Sequence, residues 1–144
     1  MTHYFFDSSA LIKRYHPEKG SDKVNKIMDS EDYLMISSVG MVEFCSAINR
    51  KKNQRKITQE DFEFAIWQFF NDVRTRFFVV GLEGYRIAIA NDMVFKHNIT
   101  SFDAVQLASC IHVGISGDIV FVSADKDLLE AAKSEGLKVL NPEE

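Results

Sequence analysis

The chain is poor in the residues that mark secreted, fibrous or zinc-finger proteins. Its 144 residues include two cysteines, two prolines and seven glycines. So few prolines and glycines exclude a collagen-like or linker-rich organisation. Cys45 and Cys110 stand alone without a CxxC spacing, and the four histidines show no zinc-ligand spacing. We therefore expect free thiols in a reducing cytoplasm and no zinc site.

Long apolar runs and a strong excess of one charge are also absent. No apolar stretch approaches the roughly 20 residues that span a bilayer. The N-terminus enters a strand at once, without the charged and apolar regions of a signal peptide. Seventeen basic residues against 21 acidic ones give a net charge of −4, so overall charge exerts no pull toward nucleic acid or an anionic membrane. These features predict a cytoplasmic protein without a membrane partner, whose nucleic-acid contacts could come only from a local patch.

Apolar residues are plentiful, and strand-like and helix-like segments alternate along the chain. Hydrophobic residues make up 46% of the sequence, with 12 phenylalanines. A chain of this length forms one domain by the usual size rule, here residues 1–144, and buries roughly two-thirds of its unfolded surface. The alternation predicts an α/β fold with a central, mostly parallel sheet covered by helices on both faces.

β-branched and aromatic runs predict the strands, and capping residues and turn signals predict the helices. Strands are expected at 3–6, 33–37, 118–123 and "KVLN", whereas 77–82 could be a strand or a connector. Two helices are predicted over 9–15 and 83–98. Two more are capped by Ser21 and Ser38, and another runs from the Thr58–Asp61 capping box to about Val73. The last two are a helix capped by Ser101 and ended by Gly114, and "ADKDLLEAAKSEG", ended by Gly136.

Helical spacing also predicts which side chains point inward. Val39 and Val42 are expected to face the core from the helix after Ser38, and Ile87, Ala90 and Val94 from the helix over 83–98. The segment "FEFAIWQFF" (62–70) is apolar nearly all round. It is interpreted either as a core helix anchored by Trp67 or as an interface with a subunit or another protein.

Acidic residues follow three of the predicted strands. Asp7 ends the first strand, Glu43 lies in the first turns of the helix after the second, and Asp125 follows "VFVS" by two residues. Because ligands bind beyond the carboxyl ends of parallel strands, these acids should project to one edge of the sheet. Asp103 lies near the start of an apolar helix, where the helix dipole explains part of its presence. Each acid alone is more simply a turn or cap residue, and the joint pattern indicates a site.

A cluster of these four acids would need compensation for its charge. Two carboxylates about 4 Å apart repel by ~4 kcal/mol at an effective dielectric near 20. Either some carboxyl groups stay protonated with raised pKa values, or a cation lies among them. Oxygen ligands without histidine or cysteine favour Mg²⁺ or Mn²⁺. The sequence therefore predicts a divalent cation as the partner of Asp7.

Several segments, in order along the chain, resemble a known family. The segments "FDSSALIKRY", "SSVGMVEFCSAI", "FDAVQLAS" and "VFVSADKDLLEAA", closing on "GLKVLNPE", are similar to those of a PIN-domain protein, specifically a VapC-type toxin of a type II toxin–antitoxin pair. The resemblance runs essentially from end to end. It implies a three-layer α/β/α domain, Mg²⁺- or Mn²⁺-dependent cleavage of RNA, and a homodimer held silent by a small antitoxin.

The resemblance also implies roles for individual residues. Asp7, Glu43, Asp103 and Asp125 would be the catalytic, metal-binding acids, and Ser9 and Ser123 would be supporting hydroxyls that orient a carboxylate or water. Asp127 is a rival for the role of Asp125. Our hypothesis is that Asp7, Asp103 and Asp125 hold one ion, whereas Glu43 holds a second ion or orients the attacking water.

A basic segment could bind the RNA that such an acidic pocket would repel. "RKKNQRK" (50–56) has five basic residues in seven, at a predicted helix end. The candidates within this segment are Arg50, Lys51, Lys52, Arg55 and Lys56, and further candidates are Lys13, Arg14, Arg74 and Arg76. A solvated helix C-terminus is an equally good interpretation, because cations suit that end of the helix dipole.

Two other functions compete with a nuclease. A non-catalytic PIN-like interaction module would act through antitoxin and operator binding. A phosphatase with an aspartyl nucleophile usually resembles Asp-x-Asp followed by Thr, whereas Ser8 and Ser9 follow Asp7. The absence of a glycine-rich phosphate loop and of a GxSxG motif disfavours nucleotide kinases and serine hydrolases.

Overall fold

The computed structural model describes residues 1–114 and 118–144. The strands are β1 (His3–Phe6), β2 (Tyr33–Ser37), β3 (Phe77–Val80), β4 (Ile119–Val122) and β5 (Lys138–Leu140). The helices are α1 (Ser8–Tyr15), α2 (Ser21–Met28), α3 (Ser38–Asn53), α4 (Gln59–Thr75), α5 (Gly84–His97), α6 (Ser101–Gly114) and α7 (Lys126–Ser134). The segment 77–82, left open by the sequence, therefore contributes a strand. Within the described residues, no helix is both long and apolar enough to cross a membrane.

The five strands form one parallel sheet in the order β3-β2-β1-β4-β5. Phe5 in the central strand pairs with Met35 on one side and Phe121 on the other. The chain builds outward from β1 in one direction and then returns to build from β4 in the other. The boundary between β1 and β4 is therefore a topological switch point, where the crevice beyond the strand ends is widest.

Helices cover both faces of the sheet over two separate cores. Successive strand residues point to opposite faces, so Phe6 packs with Leu11, Phe44 and Phe69, whereas Phe5 packs in the other core. That second core includes Ala104, Leu107, Phe121 and Leu128, contributed by α6, β4 and α7. The predicted three-layer α/β/α fold with a parallel sheet is confirmed.

Several helices begin one residue away from the sequence prediction. Ser37, not Ser38, caps α3: its backbone is extended and its side chain accepts from the Gly40 N–H. Thr100, not Ser101, accepts from the Asp103 N–H at the start of α6. In both cases the residue that keeps an extended or loop backbone is the one that caps, and the predicted cap becomes the first helical residue. The Thr58 cap of α4 is confirmed, with its side chain accepting from the Asp61 N–H.

The cap predicted for α2 is also wrong. Gly20 precedes the helix with a φ of 91°, which is a left-handed conformation that favours glycine, and Ser21 is the first helical residue. A Cβ at Gly20 would lie 3.1 Å from backbone atoms of Pro142, so the C-terminal segment packs closely over this turn.

Some predicted inward faces are wrong by about one residue. Val42 is 68% exposed, and the buried stripe of α3 runs through Gly40, Phe44 and Ile48. The ring of Phe44 stacks on Phe69 with centroids 3.9 Å apart, and this contact fixes which side of α3 faces the core. In α5, Ile87 is likewise exposed, whereas Ala90 is buried as predicted.

Helix α4 shows why the segment 62–70 looks apolar all round. Ala65 and Phe69 face the core, but Trp67 is 64% exposed and packs against Phe64 on the outer surface, with ring centroids 6.2 Å apart. The interpretation of Trp67 as a core anchor is therefore wrong. The exposed pair leaves the interface interpretation as a prediction.

Candidate active site

Asp7 is held at the switch point by hydrogen bonds on both of its carboxylate oxygens. It follows β1, its backbone N–H donates to the Val122 carbonyl, and its side chain caps α1. Oδ1 accepts from the Ser9 hydroxyl at 2.7 Å and from the Ala10 N–H at 3.2 Å, and Oδ2 accepts from the Ser123 hydroxyl at 3.0 Å. The side chain is only 3% exposed. Burial raises the pKa of Asp7 from 3.8 to about 7, although the two serine hydroxyls partly oppose that rise.

The two serines predicted as supporting residues connect Asp7 to the loop after β4. Ser123 Oγ accepts from the Asp125 N–H at 3.0 Å while it donates to Asp7. Ser9 Oγ accepts from the Ala124 N–H at 2.9 Å. Asp7 therefore shares the Ser123 hydroxyl with the Asp125 backbone and the Ser9 hydroxyl with the Ala124 backbone, at the ends of the two neighbouring central strands.

Asp125 caps α7, and Asp127 does not share its position. The Oδ1 atom of Asp125 accepts from the N–H groups of Asp127 and Leu128 at 3.0 and 3.1 Å. Asp127 lies two residues further along the chain, in the first turn of α7. Together with Asp103 and Asp125 it lines a cavity of about 650 Å³. Only Asp125 is joined to Asp7 through Ser123, which supports its ranking ahead of Asp127.

Glu43 lies on α3, and its carboxylate is held by the side chain of Gln106 on α6. Its Oε1 accepts from Gln106 Nε2 at 2.8 Å. Burial raises the pKa of Glu43, the Gln106 and Ser8 hydrogen bonds lower it, and the Asp103 charge raises it. Sequence reasoning missed Gln106. The available signal was an amide among apolar neighbours in "FDAVQLAS", three residues after Asp103.

Asp103 is coupled electrostatically to the other three acids. It lies in the first turn of α6, half-buried, and burial and the charge of Asp125 raise its pKa. Its own charge raises the pKa of both Asp7 and Glu43. The acids therefore come from β1, α3, α6 and the loop after β4 to one edge of the sheet, where their charges interact.

The acids do not form a closed metal cluster. Among the described residues, no three His, Cys, Asp or Glu side chains are arranged to hold a metal ion. Hydrogen-bond donors hold both oxygens of Asp7 and one oxygen each of Glu43 and Asp125 in place. The donor set is nevertheless all oxygen, and a cation would relieve the mutual repulsion. Mg²⁺ needs only one or two carboxylates and keeps several waters, so these residues fit such an ion.

A groove of about 960 Å³ leads away from the acids toward the end of α3. Glu43 and Asp125 line one part of it, and Arg50, Lys51 and Lys56 line another. The exposed side chains of Val42 and Phe102 also line it. The groove thus joins an acidic end, a basic end in which Lys51 Nζ lies 3.4 Å from Glu18 Oε2, and an apolar border.

Two other basic candidates, Lys13 and Arg14, are held in ion pairs, and Lys13 also lines the groove. Lys13 is 4% exposed and its Nζ lies 3.0 Å from both Glu18 Oε1 and Glu143 Oε2, so its charge is neutralised within the protein. Arg14 pairs with Asp29 and donates to Asn25. Either residue would have to give up these ion pairs to bind a phosphate, and both stay predictions as nucleic-acid ligands.

Lys52 and Arg55 do not line the groove. Lys52 Nζ lies 4.4 Å from the ring centroid of Phe62, in a cation–π contact. Arg55 lines a neighbouring cavity that it shares with Lys56. Both residues stay predictions as nucleic-acid ligands.

Comparison with known proteins identifies the family. The PIN domain profile matches residues 4–134, nearly the whole chain. The chain belongs to the PIN domain family, which confirms the resemblance found in the sequence. No curated protein matches significantly.

Solved structures with the same fold include two VapBC assemblies. The chain is 12% identical to VapBC2 from Rickettsia felis, solved with a DNA fragment from its promoter, with a TM-score of 0.67 over 97% of this chain and 98% of that one. VapBC-1 from nontypeable Haemophilus influenzae gives 12% identity and a TM-score of 0.64 over 99% and 100%. PAE2754 from Pyrobaculum aerophilum gives 22% and 0.64 over 99% and 90%. At these identities the comparisons establish the fold.

Proposed function

We propose that the protein is a metal-dependent endoribonuclease that hydrolyses RNA phosphodiester bonds at this edge of the sheet. The observation that carries the proposal is the meeting of four acids from separate elements: Ser123 joins Asp7 to the backbone of Asp125, Glu43 and Asp125 line one groove, and Asp103 and Asp125 line an adjoining cavity. Isolated turn or cap residues would have no reason to gather beside a groove with a basic end. PIN domains are generally nucleases, which supports the same reaction class.

Asp7, Asp103 and Asp125 would hold Mg²⁺ or Mn²⁺. When bound, such an ion lowers the pKa of a coordinated water and stabilises charge on the phosphate. Ser9 and Ser123 orient Asp7 through the hydrogen bonds described above. Glu43 would orient the attacking water or contribute to a second ion. In-line attack would leave a 5′-phosphate and a 3′-hydroxyl.

The groove provides a path for the RNA strand. The acids repel phosphates, so affinity must come from elsewhere along the strand. Arg50 and Lys56 line the same groove as Glu43 and can pair with phosphates flanking the scissile one, and Lys51 can do so by exchanging Glu18 for a phosphate. Unpaired bases would lie against the apolar border formed by Val42 and Phe102, as aromatic and apolar surfaces accept bases in single-stranded RNA.

The fold shared with the VapBC structures supports the further proposal that this chain is the toxin of a toxin–antitoxin pair. A small antitoxin would be its partner, and a homodimer its assembly. A non-catalytic module that acts through antitoxin and operator binding is the competing function. It is favoured by the DNA fragment in the Rickettsia felis structure and by the lack of a closed metal cluster in the described residues. Activity separates the two.

The test is cleavage of end-labelled structured RNA by purified protein with Mg²⁺ or Mn²⁺, with and without EDTA. We expect EDTA, Asp7→Asn and Asp103→Asn each to abolish cleavage. Asp118→Asn is the matched control, because Asp118 is exposed and precedes β4 at the opposite edge of the sheet. Cleavage that survives Asp7→Asn and Asp103→Asn would refute the proposed active site. Normal partner binding without any cleavage would favour the interaction module.

A further inference from the structure

We propose that Gln106 is a positioning residue that fixes the orientation of the Glu43 carboxylate, under the control of Ser37 and Gly40. The catalytic consequence of this role rests on the proposed nuclease function. The positions of the side chains do not depend on it. Gln106 and Ser37 are each 1% exposed, so their polar atoms bind each other rather than water.

The direction of each hydrogen bond in this set follows from atom types. Ser37 Oγ accepts from the Gly40 N–H at 2.8 Å as the cap of α3. Its single proton is then directed to Gln106 Oε1, which lies 2.8 Å away. Because Oε1 of Gln106 is the acceptor, Nε2 is the end of the amide that faces Glu43, and it donates to Glu43 Oε1 at 2.8 Å. The cap of α3 therefore determines which end of the Gln106 amide meets the carboxylate.

This arrangement leaves the two oxygens of Glu43 unequal. Oε1 is occupied by Gln106, and the carboxylate borders the groove that also contains Asp125. We expect the other oxygen, which Gln106 does not hold, to bind a water or cation in the groove, where the Ser8 hydroxyl also interacts with the carboxylate. A donor that fixes one oxygen in this way acts as the outer-shell partners of metal ligands do, whose loss typically costs 10–100-fold in metal affinity or activity.

Gly40 provides a way to move the Gln106 amide without touching either Glu43 or Gln106. A Cβ at Gly40 would lie 3.0 Å from Gln106 Nε2 and 3.3 Å from Ser37 Oγ. Both distances are shorter than ordinary van der Waals contact, so the end of the Gln106 side chain must shift. Gly40→Ala and Gln106→Met should therefore produce the same defect from opposite sides.

The experiment compares Gln106→Met, Gly40→Ala and a control with the wild type. Gln59→Met is the control, because Gln59 Nε2 makes the same kind of bond, to Glu63 Oε1 at 3.0 Å, on the exposed side of α4. Mn²⁺ alone is titrated into the metal-free proteins by calorimetry. The kcat and KM for RNA cleavage are measured separately. We expect both test variants to weaken Mn²⁺ binding and lower kcat by about tenfold, with the KM for RNA changed less than about twofold.

Each outcome bears on the proposal. If Gln106→Met and Gly40→Ala match Gln59→Met in Mn²⁺ binding and kcat, Gln106 has no positioning role. If Gln106→Met does not fold, Gly40→Ala decides, because it keeps every hydrogen-bonding group. A wild type that binds Mn²⁺ but cleaves no RNA overturns the proposed function alone, and the Mn²⁺ titrations still test Gln106. A wild type that binds no Mn²⁺ overturns both.

Discussion

At the scale of single residues, the protonation of Asp7 links the site to the stability of the fold. Burial raises its pKa from 3.8 to about 7, so the folded protein keeps a proton that the unfolded chain releases above about pH 4. Between these two values the folded state binds more protons than the unfolded state. The free energy of unfolding of the metal-free protein should therefore fall as the pH rises from about 4 to 7. A shift of this size corresponds to ~4 kcal/mol.

Asp7→Asn should remove most of this pH dependence. An asparagine can keep the cap on Ala10 and the bond from Ser9 through its Oδ1, and it carries no charge. We expect the variant to unfold at higher urea than the wild type at pH 8 in EDTA, and to show a smaller decline between pH 4 and 7. Asp118→Asn, which changes an exposed carboxylate, should behave as the wild type does. An Asp7→Asn variant with the wild-type pH profile would contradict the burial argument.

Residues differ in how far the sequence alone could place them. Asp7 and Asp125 were predictable because each follows a parallel strand, and parallel strands end at one edge of a sheet. Gln106 was not, because its partners Ser37 and Glu43 are distant in sequence and meet it only when α3 packs beside α6. The burial of Lys13 was also hidden, since its partner Glu143 belongs to the C-terminal segment.

At the scale of helices and strands, periodicity predicted where elements occur better than which faces they bury. Helix α3 has valines at a helical spacing, yet Val42 lines the groove and Phe44 faces the core. Large aromatic rings bury more area than valines, so the contact of Phe44 with Phe69 sets the rotation of the helix. The exposure of Val42 in turn places Glu43 at the edge of the groove.

The basic end of α3 should contribute to RNA affinity through phosphates. We expect a variant with Arg50, Lys51 and Lys56 all changed to Gln to bind a single-stranded RNA more weakly. The logarithm of the association constant should fall less steeply with the logarithm of the salt concentration, by about 2 in the magnitude of the slope. Each phosphate contact to a single strand contributes about 0.7 to that magnitude. The measurement is fluorescence anisotropy in an Asp7→Asn background, so that the probe is not cut.

A matched control separates a local patch from general charge. Lys23, Lys26 and Lys133 are exposed, and none of them lines the groove, so their change to Gln removes the same charge elsewhere. This control should keep nearly the full affinity and salt slope. Equal losses in the two triple variants would mean that α3 forms no specific path for RNA.

At the scale of the whole molecule, the alternation of strands and helices was enough to predict a parallel sheet with helices on both faces. It did not predict the order β3-β2-β1-β4-β5, because alternation does not say on which side of β1 each later strand is added. That order places β1 beside β4 and so brings Asp7 within reach of Ser123. The site is a product of the topology, and the sequence could predict its members but not their contacts.

Anomalous diffraction from crystals of the wild-type protein soaked in Mn²⁺ tests most directly whether the acids bind a metal ion. We expect an anomalous peak beyond the carboxyl ends of β1 and β4, next to the carboxylates of Asp7, Asp103 and Asp125, and its loss in Asp103→Asn crystals. Mn²⁺ bound only elsewhere, or a peak at this position that persists unchanged in Asp103→Asn, would contradict it.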